Sequence, residues 1–328
     1  MNARKELVDR VALKRRQKIG TLSDEAFSEL ELAVREDPFK FIDDDEESAF
    51  ALVVQALARY DESRRDDDLL DDEQFAQARE QRFRALVSSC QQALAIDQNC
   101  LDAALLVALV GDEEQNAIFE NLCNLHAKSQ ESEGRLASPV TGDAWTNVFL
   151  RPQLRVQAAL SRACIHTARF RMAVDQCTSL LATAPLDALG ARFTCALAMA
   201  RLEDEDGFNW LDARESRRGN AWFHLSRAIL MYKLGRIPAA RRALKGYDRL
   251  CVGGAYLLLQ PVFVDIYLPD RPAFAPGSFE ETMLAVHEAD PVIADVPDFA
   301  AWACDVPGFL ASAQDFCARN GFEWRDWE

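Results

Sequence analysis

Glycine and proline are scarce in this chain, at 14 and 12 of 328 residues. Tight turns depend on these two residues, so their scarcity disfavours a β-rich protein. No apolar run approaches the roughly 18 residues that a membrane-spanning helix needs, and residues 1–20 lack the apolar core and small-residue cleavage site of a secretion signal. Alanine and leucine are frequent, and both favour helices. Together these features predict a soluble, cytoplasmic, all-α protein.

Motifs that mark catalytic or metal sites are also missing. The sequence has no Cys-x-x-Cys pair, no His-Glu-x-x-His, no phosphate-binding glycine loop and no nucleophile elbow. Cys164 and His166 would point about 200° apart on a helix, which is poor geometry for holding one metal ion. The nine cysteines, an odd number without an export signal, indicate reduced thiols. We therefore expect no metal, no cofactor and no catalytic residue.

Charge is distributed unevenly along the chain, whose formal net charge is −16. Residues 1–20 carry +5, residues 21–150 carry −19, residues 151–250 carry +8 and residues 251–328 carry −10. A strongly acidic total disfavours nucleic acid, because that binding depends on basic side chains displacing counterions from phosphates. The local arginine excess could attract an acidic peptide, or it could simply keep helix faces solvated. We expect a protein or peptide partner, acidic ones included, and neither nucleic acid nor membrane.

A repeated pattern of small and apolar residues runs through residues 154–254. The segments 154–187 and 221–254 each place one small residue on a first helix and another on a second helix: Ser161 and Ala173, then Ala228 and Ala240. The second helix of each segment is predicted to open at an apolar residue, Phe170 in the first and Ile237 in the second. Small residues there allow paired helices to cross closely. The two second-helix alanines are 67 residues apart, which is nearly two units of about 34 residues and leaves residues 188–220 as a middle unit.

This spacing resembles the tetratricopeptide-repeat (TPR) family over about 100 residues. The resemblance implies a right-handed superhelical solenoid of antiparallel helix pairs, whose concave face binds a peptide or another protein. The sequence departs from the family in lacking the inner Lys and Asn of its two-carboxylate clamp. The resemblance therefore does not imply binding of a chaperone-type C-terminal peptide.

The chain changes character after Gly254. Prolines remove amide donors and fix φ, so they interrupt helices and predict an extended segment here; they stand at positions 261, 269, 272 and 276. Ser278, followed three residues later by Glu281, is a capping-box pattern that predicts a helix start. The run from Tyr256-Leu257-Leu258 through Leu268-Pro269 to Glu280-Glu281 is similar to the tail of bacterial repeat proteins related to the suppressor-of-tumorigenicity family.

The sequence thus predicts four segments. They are a basic N-terminal helix (1–20), an acidic helical region of degenerate repeats (21–150), the TPR-like repeats (151–254), and an extended Pro-rich segment with a small helical cap (255–328).

The first helices of the central repeats predict a peptide-binding face. Residues at i, i+3, i+7 and i+10 share one side of a helix, and cations and aromatics occupy this inner side: Arg155, Arg162, His166, Arg192, Trp222, Tyr232 and Lys233. Guanidinium groups pair with carboxylates, and aromatic anchors bury area at low entropic cost. We expect the bound segment to carry a carboxylate and an apolar side chain. An equally open interpretation is that Trp222 packs between repeats or is covered by the C-terminal segment.

The sequence therefore favours a scaffold or adaptor that binds a protein segment on the concave face of its repeats. The alternative is a helical-repeat enzyme or regulatory subunit whose active site is scattered along the chain. A closed pocket that holds His166 or His224 beside an acid would favour this alternative.

Overall fold

The computed structural model describes residues 3–111, 114–133, 142–214, 219–260 and 262–325. These residues form sixteen α-helices and no β-strand, which confirms the all-α prediction. Within this part of the chain, no helix is both long and apolar enough to cross a membrane. The helices are α1 (Ala3–Ile19), α2 (Asp24–Glu36), α3 (Asp45–Glu62), α4 (Asp72–Ile96), α5 (Leu101–Val110), α6 (Gln115–Glu133), α7 (Arg151–His166), α8 (Phe170–Thr183), α9 (Ala191–Arg201), α10 (Glu205–Arg214), α11 (Ala221–Lys233), α12 (Ile237–Leu250), α13 (Gly254–Leu259), α14 (Phe279–Ala294), α15 (Phe299–Asp305) and α16 (Phe309–Asn320).

The chain packs as two compact units. Unit 1 comprises Met1–Ala159 and Leu268–Asp270, and unit 2 comprises Leu160–Tyr267 and Arg271–Glu328. The boundary between the two falls inside α7. The four segments inferred from charge and repeats rest on other criteria and stay a prediction.

Three helices of unit 1, α2, α3 and α4, start at side-chain caps. Ser23 Oγ accepts a hydrogen bond from the Ala26 amide, and Asp44 accepts one from the Glu47 amide. Asp71 forms a capping box with the helix that follows it. Such caps satisfy amides that have no partner within the helix. They define the starts of α2, α3 and α4; α3 in turn packs against α1, α4 and α5.

Unit 2 contains the helices of the predicted repeats. The second helices α8 and α12 begin at Phe170 and Ile237, where the pattern predicts them. Helix α8 packs on α9, α9 on α11, and α11 on α12. The residues predicted at close helix crossings are all buried: Ser161, Ala173, Ala228 and Ala240. Neighbouring helices of this unit therefore pack with small side chains at the predicted positions.

The C-terminal part differs from the prediction at its start. The extended segment was predicted from residue 255, but Gly254–Leu259 forms helix α13. Gly253 begins it with φ = 71°, a left-handed conformation that glycine adopts without a Cβ clash. The side chains of Tyr256, Leu257, Leu258 and Leu259 are buried, and α13 packs against α12, α14 and α16. Burial of this apolar run favours the helix, and the non-helical segment covers residues 262–278 instead.

Candidate functional site

The predicted site residues divide between the two units. Arg155 belongs to unit 1, and the other six, from Arg162 to Lys233, belong to unit 2. Each unit therefore has its own arrangement of these side chains.

In unit 1, Arg155 lies at the centre of a buried network of charges, with only 2% of its surface exposed. Its Nη2 is 2.6 Å from Glu6 Oε2 and its Nη1 is 2.9 Å from Asp102 Oδ1. Its Nε donates to Asp270 Oδ1 at 2.9 Å. Arg10 Nη2 adds a second cation 2.9 Å from Asp102 Oδ2. The sequence pattern did not predict that the chain's own carboxylates bind Arg155.

The charges of this network stabilise each other. Burial alone raises the pKa of Asp102, but the charges of Arg10 and Arg155 outweigh it and hold that pKa below its usual value. Burial likewise opposes the charge on Arg155, while Asp102, Asp270 and Glu6 raise its pKa well above the usual value. A peptide could reach Arg155 only by breaking buried pairs, which is costly.

In unit 2, Glu288 of α14 accepts hydrogen bonds from three side chains. Arg271 approaches it with Nε at 2.9 Å from Oε1 and Nη2 at 3.0 Å from Oε2. Trp222 Nε1 donates at 2.7 Å, and Tyr267 Oη donates at 2.5 Å. Burial raises the pKa of Glu288, but the charge of Arg271 and the hydrogen bonds from Arg271 and Tyr267 lower it overall. Glu288 is therefore a buried carboxylate with an ionic partner.

Arg271 uses its remaining donors on α9 and the turn before it. Nη1 donates to the carbonyl oxygens of Leu189 and Gly190, at 2.9 and 2.5 Å, and Nη2 to Thr194 Oγ1 at 3.1 Å. Its guanidinium carbon also lies 5.3 Å from the Phe193 ring centroid. The inner side of α9 thus holds a side chain from the non-helical segment 262–278.

Trp222 is 2% exposed. Its ring stacks on Phe193 with centroids 4.2 Å apart and an interplanar angle of 12°. With its N–H bonded to Glu288, the indole has no free polar edge. This placement matches the interpretation in which the C-terminal part of the chain covers Trp222.

Two other predicted site residues of unit 2, Arg162 and Tyr232, also contact C-terminal residues. The Arg162 guanidinium lies 5.2 Å from the Tyr267 ring centroid, and Tyr232 packs against Phe299 and Trp302 at centroid distances of 5.4 and 4.8 Å. His166 keeps an accessible edge, yet burial of its ring, together with the charge of Arg162, lowers the pKa of its imidazole. Lys233, by contrast, pairs with Glu203 at 3.2 Å.

Arg192 differs from these residues because it lines a cavity of about 350 Å³ in unit 2. Its Nη1 is 2.7 Å from Asp187 Oδ2, and its guanidinium carbon is 4.3 Å from the Phe193 ring centroid. Phe274, which is 39% exposed, lines the same cavity, whose other walls include Asn220, Trp222, Phe223, Arg271 and Pro272. Neither His166 nor His224 is among its lining residues. The cavity combines one accessible cation with an aromatic surface.

The structure reveals neighbours of the predicted site residues that the sequence pattern missed. Arg271 and Glu288 lie outside the repeats, and Tyr267 stands in the Pro-rich segment. The one sequence signal that could have indicated this is composition: residues 261–276 contain many apolar and charged residues between the prolines, which favours packing against the rest of the protein over a solvated linker.

One group of carboxylates in the described residues has metal-like spacing. Oxygens of Asp43, Asp44 and Glu47 lie within 4.8 Å of one another. They are bound by basic side chains of α1: Lys14 and Lys18 contact Asp44, and Arg15 contacts Asp43 and Glu47. Hydrogen bonds from Lys18 and Arg15 lower the pKa of Asp43, whereas burial raises that of Glu47. Basic side chains of α1 thus contact all three carboxylates of this cluster.

The nine cysteines all lie among the described residues, where they form no disulfide, and most are buried. Burial raises the pKa of Cys90 and of Cys100 to about 12 in each case. Since the thiolate is the nucleophile, these two residues have the properties of packing side chains. Cys164, Cys177 and Cys195 are also buried, in unit 2.

Comparison with known proteins adds no assignment to this geometry. No family model, curated protein or solved structure matches the chain.

Proposed function

We propose that this protein is a scaffold or adaptor of TPR-like helical repeats that binds a segment of another protein. In this proposal the repeats form a right-handed superhelix of antiparallel helix pairs, and the C-terminal segment with its helical cap covers part of the concave face. The bound segment carries a carboxylate and an apolar side chain, and the protein acts in the cytoplasm.

The observation that carries the proposal is the way unit 2 binds part of its own chain. Arg271 of the non-helical segment 262–278 inserts beside α9 and bonds to two backbone carbonyls, to Thr194 and to Glu288. Tyr267 of the same segment lies against Arg162. These contacts support an inner helical face that is suited to an extended polypeptide with polar and aromatic side chains.

We assign the cavity beside Arg192, which the protein's own C-terminal segment leaves open, as the place where the partner segment binds. Arg192 is a planar, permanently charged donor, and guanidinium groups pair with carboxylates through two parallel hydrogen bonds. Phe193, Phe223 and Phe274 offer apolar area around it. A volume of about 350 Å³ lies at the lower end of the range for small-ligand sites, so it suits one or two side chains rather than a folded domain. A carboxylate from the partner would compete with Asp187 for Arg192.

Site-specific photo-crosslinking tests this assignment. A photoreactive phenylalanine analogue replaces Phe274 at the cavity, and in a matched control it replaces Trp210, which is 56% exposed on α10. In cell extract, we expect position 274 to capture a segment containing Asp or Glu that position 210 does not capture. Arg192→Gln should reduce the yield at 274, while Arg171→Gln on the exposed side of α8 should not. Equal capture at both positions, or a yield insensitive to Arg192, would contradict the proposal.

A further inference from the structure

The exposed side of α12 carries four cations: Arg241, Arg242, Lys245 and Arg249. At 3.6 residues per turn they span about 100° of the helix circumference and about 12 Å of its length. The fully buried side chains of the helix, Ala240, Leu244 and Tyr247, lie on another side. The four cations form one narrow strip, the α12 stripe.

Within the described part of unit 2, no ion pair joins a cation of the α12 stripe to a carboxylate, whereas several other cations of the unit have one. Ion pairs elsewhere in the unit join Arg192 to Asp187, Arg201 to Asp295, Arg227 to Asp212, Lys233 to Glu203, Arg236 to Glu205 and Arg271 to Glu288. Like charges at i and i+4 repel each other and weaken a helix, and Arg241, Lys245 and Arg249 have this spacing. An anionic ligand would relieve the repulsion.

We propose that the α12 stripe is a docking surface for an acidic protein segment that presents several carboxylates on one side. The stripe is one helix face wide, which suits a helix or an extended chain. Its cations lie about 6 Å apart along the axis, the same spacing as acids at every fourth position of a partner helix. Leu250 and Val252, about half exposed, follow the last cation and offer an apolar contact at the end of the stripe.

A broad anionic surface fits the stripe less well than a narrow segment does. The chain has a net charge of −16, and electrostatic forces between exposed groups extend about 8 Å at physiological ionic strength. A membrane or a nucleic-acid duplex would bring further phosphates towards the acidic remainder of the protein. A narrow acidic segment can contact the four cations alone, so charge complementarity favours a protein segment.

The α12 stripe is separate from the cavity that we assign to the partner under the proposed function. None of its four residues lines the cavity beside Arg192. Either proposal can therefore fail while the other holds.

Fluorescence anisotropy with a designed peptide tests the α12 stripe. The probe is an alanine-based helical peptide with glutamate at three successive i, i+4 positions, and a second peptide of the same composition distributes its glutamates around the helix. We expect the first peptide to bind the full-length protein more tightly than the second, and its affinity to fall about tenfold between 50 and 200 mM salt, since exposed charges are screened.

Charge reversal locates the binding site. The variant R241E/R242E/K245E/R249E should lose about tenfold or more in affinity at 50 mM salt. The matched control R35E/K40E/R84E/R171E makes the same change in net charge at exposed positions elsewhere and should retain most of the affinity. Circular dichroism checks that both variants fold, and the four-glutamine variant of the stripe replaces the glutamate variant if the latter does not fold.

Several results would overturn the proposal. One is an equal loss in the control variant, and another is equal binding of the two peptides. Binding of phosphatidylserine vesicles or duplex DNA through the stripe, with no peptide binding, would assign it to a different ligand. Salt-sensitive self-association in sedimentation runs, abolished by the same charge reversal, would make the occupant a second copy of this chain.

Discussion

Glu288 joins Trp222 of α11 to Tyr267 and Arg271 of the non-helical segment 262–278. Its two carboxylate oxygens accept hydrogen bonds from Arg271, Trp222 and Tyr267. The first two of these side chains and Glu288 itself are buried, and Tyr267 is partly buried. Removing one partner of a buried ion pair is costly because the other charge stays buried without compensation. We therefore expect the contacts of Trp222 to stabilise unit 2.

We expect Glu288→Gln to lower the free energy of unfolding by about 3–5 kcal/mol at neutral pH, since it leaves the Arg271 guanidinium buried without a counter-charge. Urea unfolding followed by tryptophan fluorescence measures the change. The matched control is Glu280→Gln, at an exposed position of the same helix, which should change stability by less than about 0.5 kcal/mol. Equal effects of the two substitutions would contradict the buried-pair interpretation.

The same carboxylate predicts the direction of a pH effect. The folded-state pKa of Glu288 lies below the ordinary 4.5, so its contribution is fully present above the unfolded pKa and is lost as the pH falls through the folded pKa. The difference in unfolding free energy between the parent and Glu288→Gln should therefore be constant above about pH 5.5 and shrink below about pH 4.5. Urea titrations at a series of pH values test this, and a difference that widens on acidification would show the opposite sign.

At the scale of elements, the helix crossings of the predicted repeats depend on residues with small side chains. Ala173 of α8 and Ala240 of α12 are 0% exposed. An added isobutyl group must move the neighbouring helix or adopt a strained rotamer, so Ala173→Leu or Ala240→Leu should cost about 1–3 kcal/mol. Thermal melts measure the loss, with Ala182→Leu on the exposed side of α8 as control. Unchanged melting temperatures for both buried variants would mean that these crossings tolerate larger side chains.

The starts of α8 and α12 could be predicted from the sequence because small and apolar residues recur there at helical spacing. The partners of Arg155 could not, since Glu6, Asp102 and Asp270 lie 149, 53 and 115 residues away along the chain. Helix α13 was also missed. The prolines that follow it suggested an extended chain, while the buried contacts of its apolar residues favour a helix. Local periodicity therefore predicted where helices form. Contacts between residues distant in sequence, such as the ion pairs of Arg155, determine which predicted site residues are accessible, and local periodicity does not show them.

At the scale of the whole molecule, many of the charged residues that give the sequence its uneven charge form ion pairs within each unit. The basic residues Lys14, Arg15 and Lys18 of α1 bind the acids at the start of α3 in unit 1. In unit 2 the inner cations Arg192, Lys233 and Arg271 have carboxylate partners. The regional charges of the sequence thus overstate how many cations a partner can reach, and our two proposals concern Arg192 and the α12 stripe.

Removal of the C-terminal part tests its role as a cover. A chain truncated after Gly254 loses Arg271 and Glu288, along with the packing of α14 against α9 and α11. The apolar surfaces of Trp222 and Phe193 would then face water, and exposed apolar faces at the end of helical repeats promote aggregation. Arg155 in unit 1 would also lose the carboxylate of Asp270. Size-exclusion chromatography with light scattering should show aggregates for the truncated chain and not for the parent, whereas a monomeric truncated protein that melts at the parent temperature would mean that α9 and α11 need no cover.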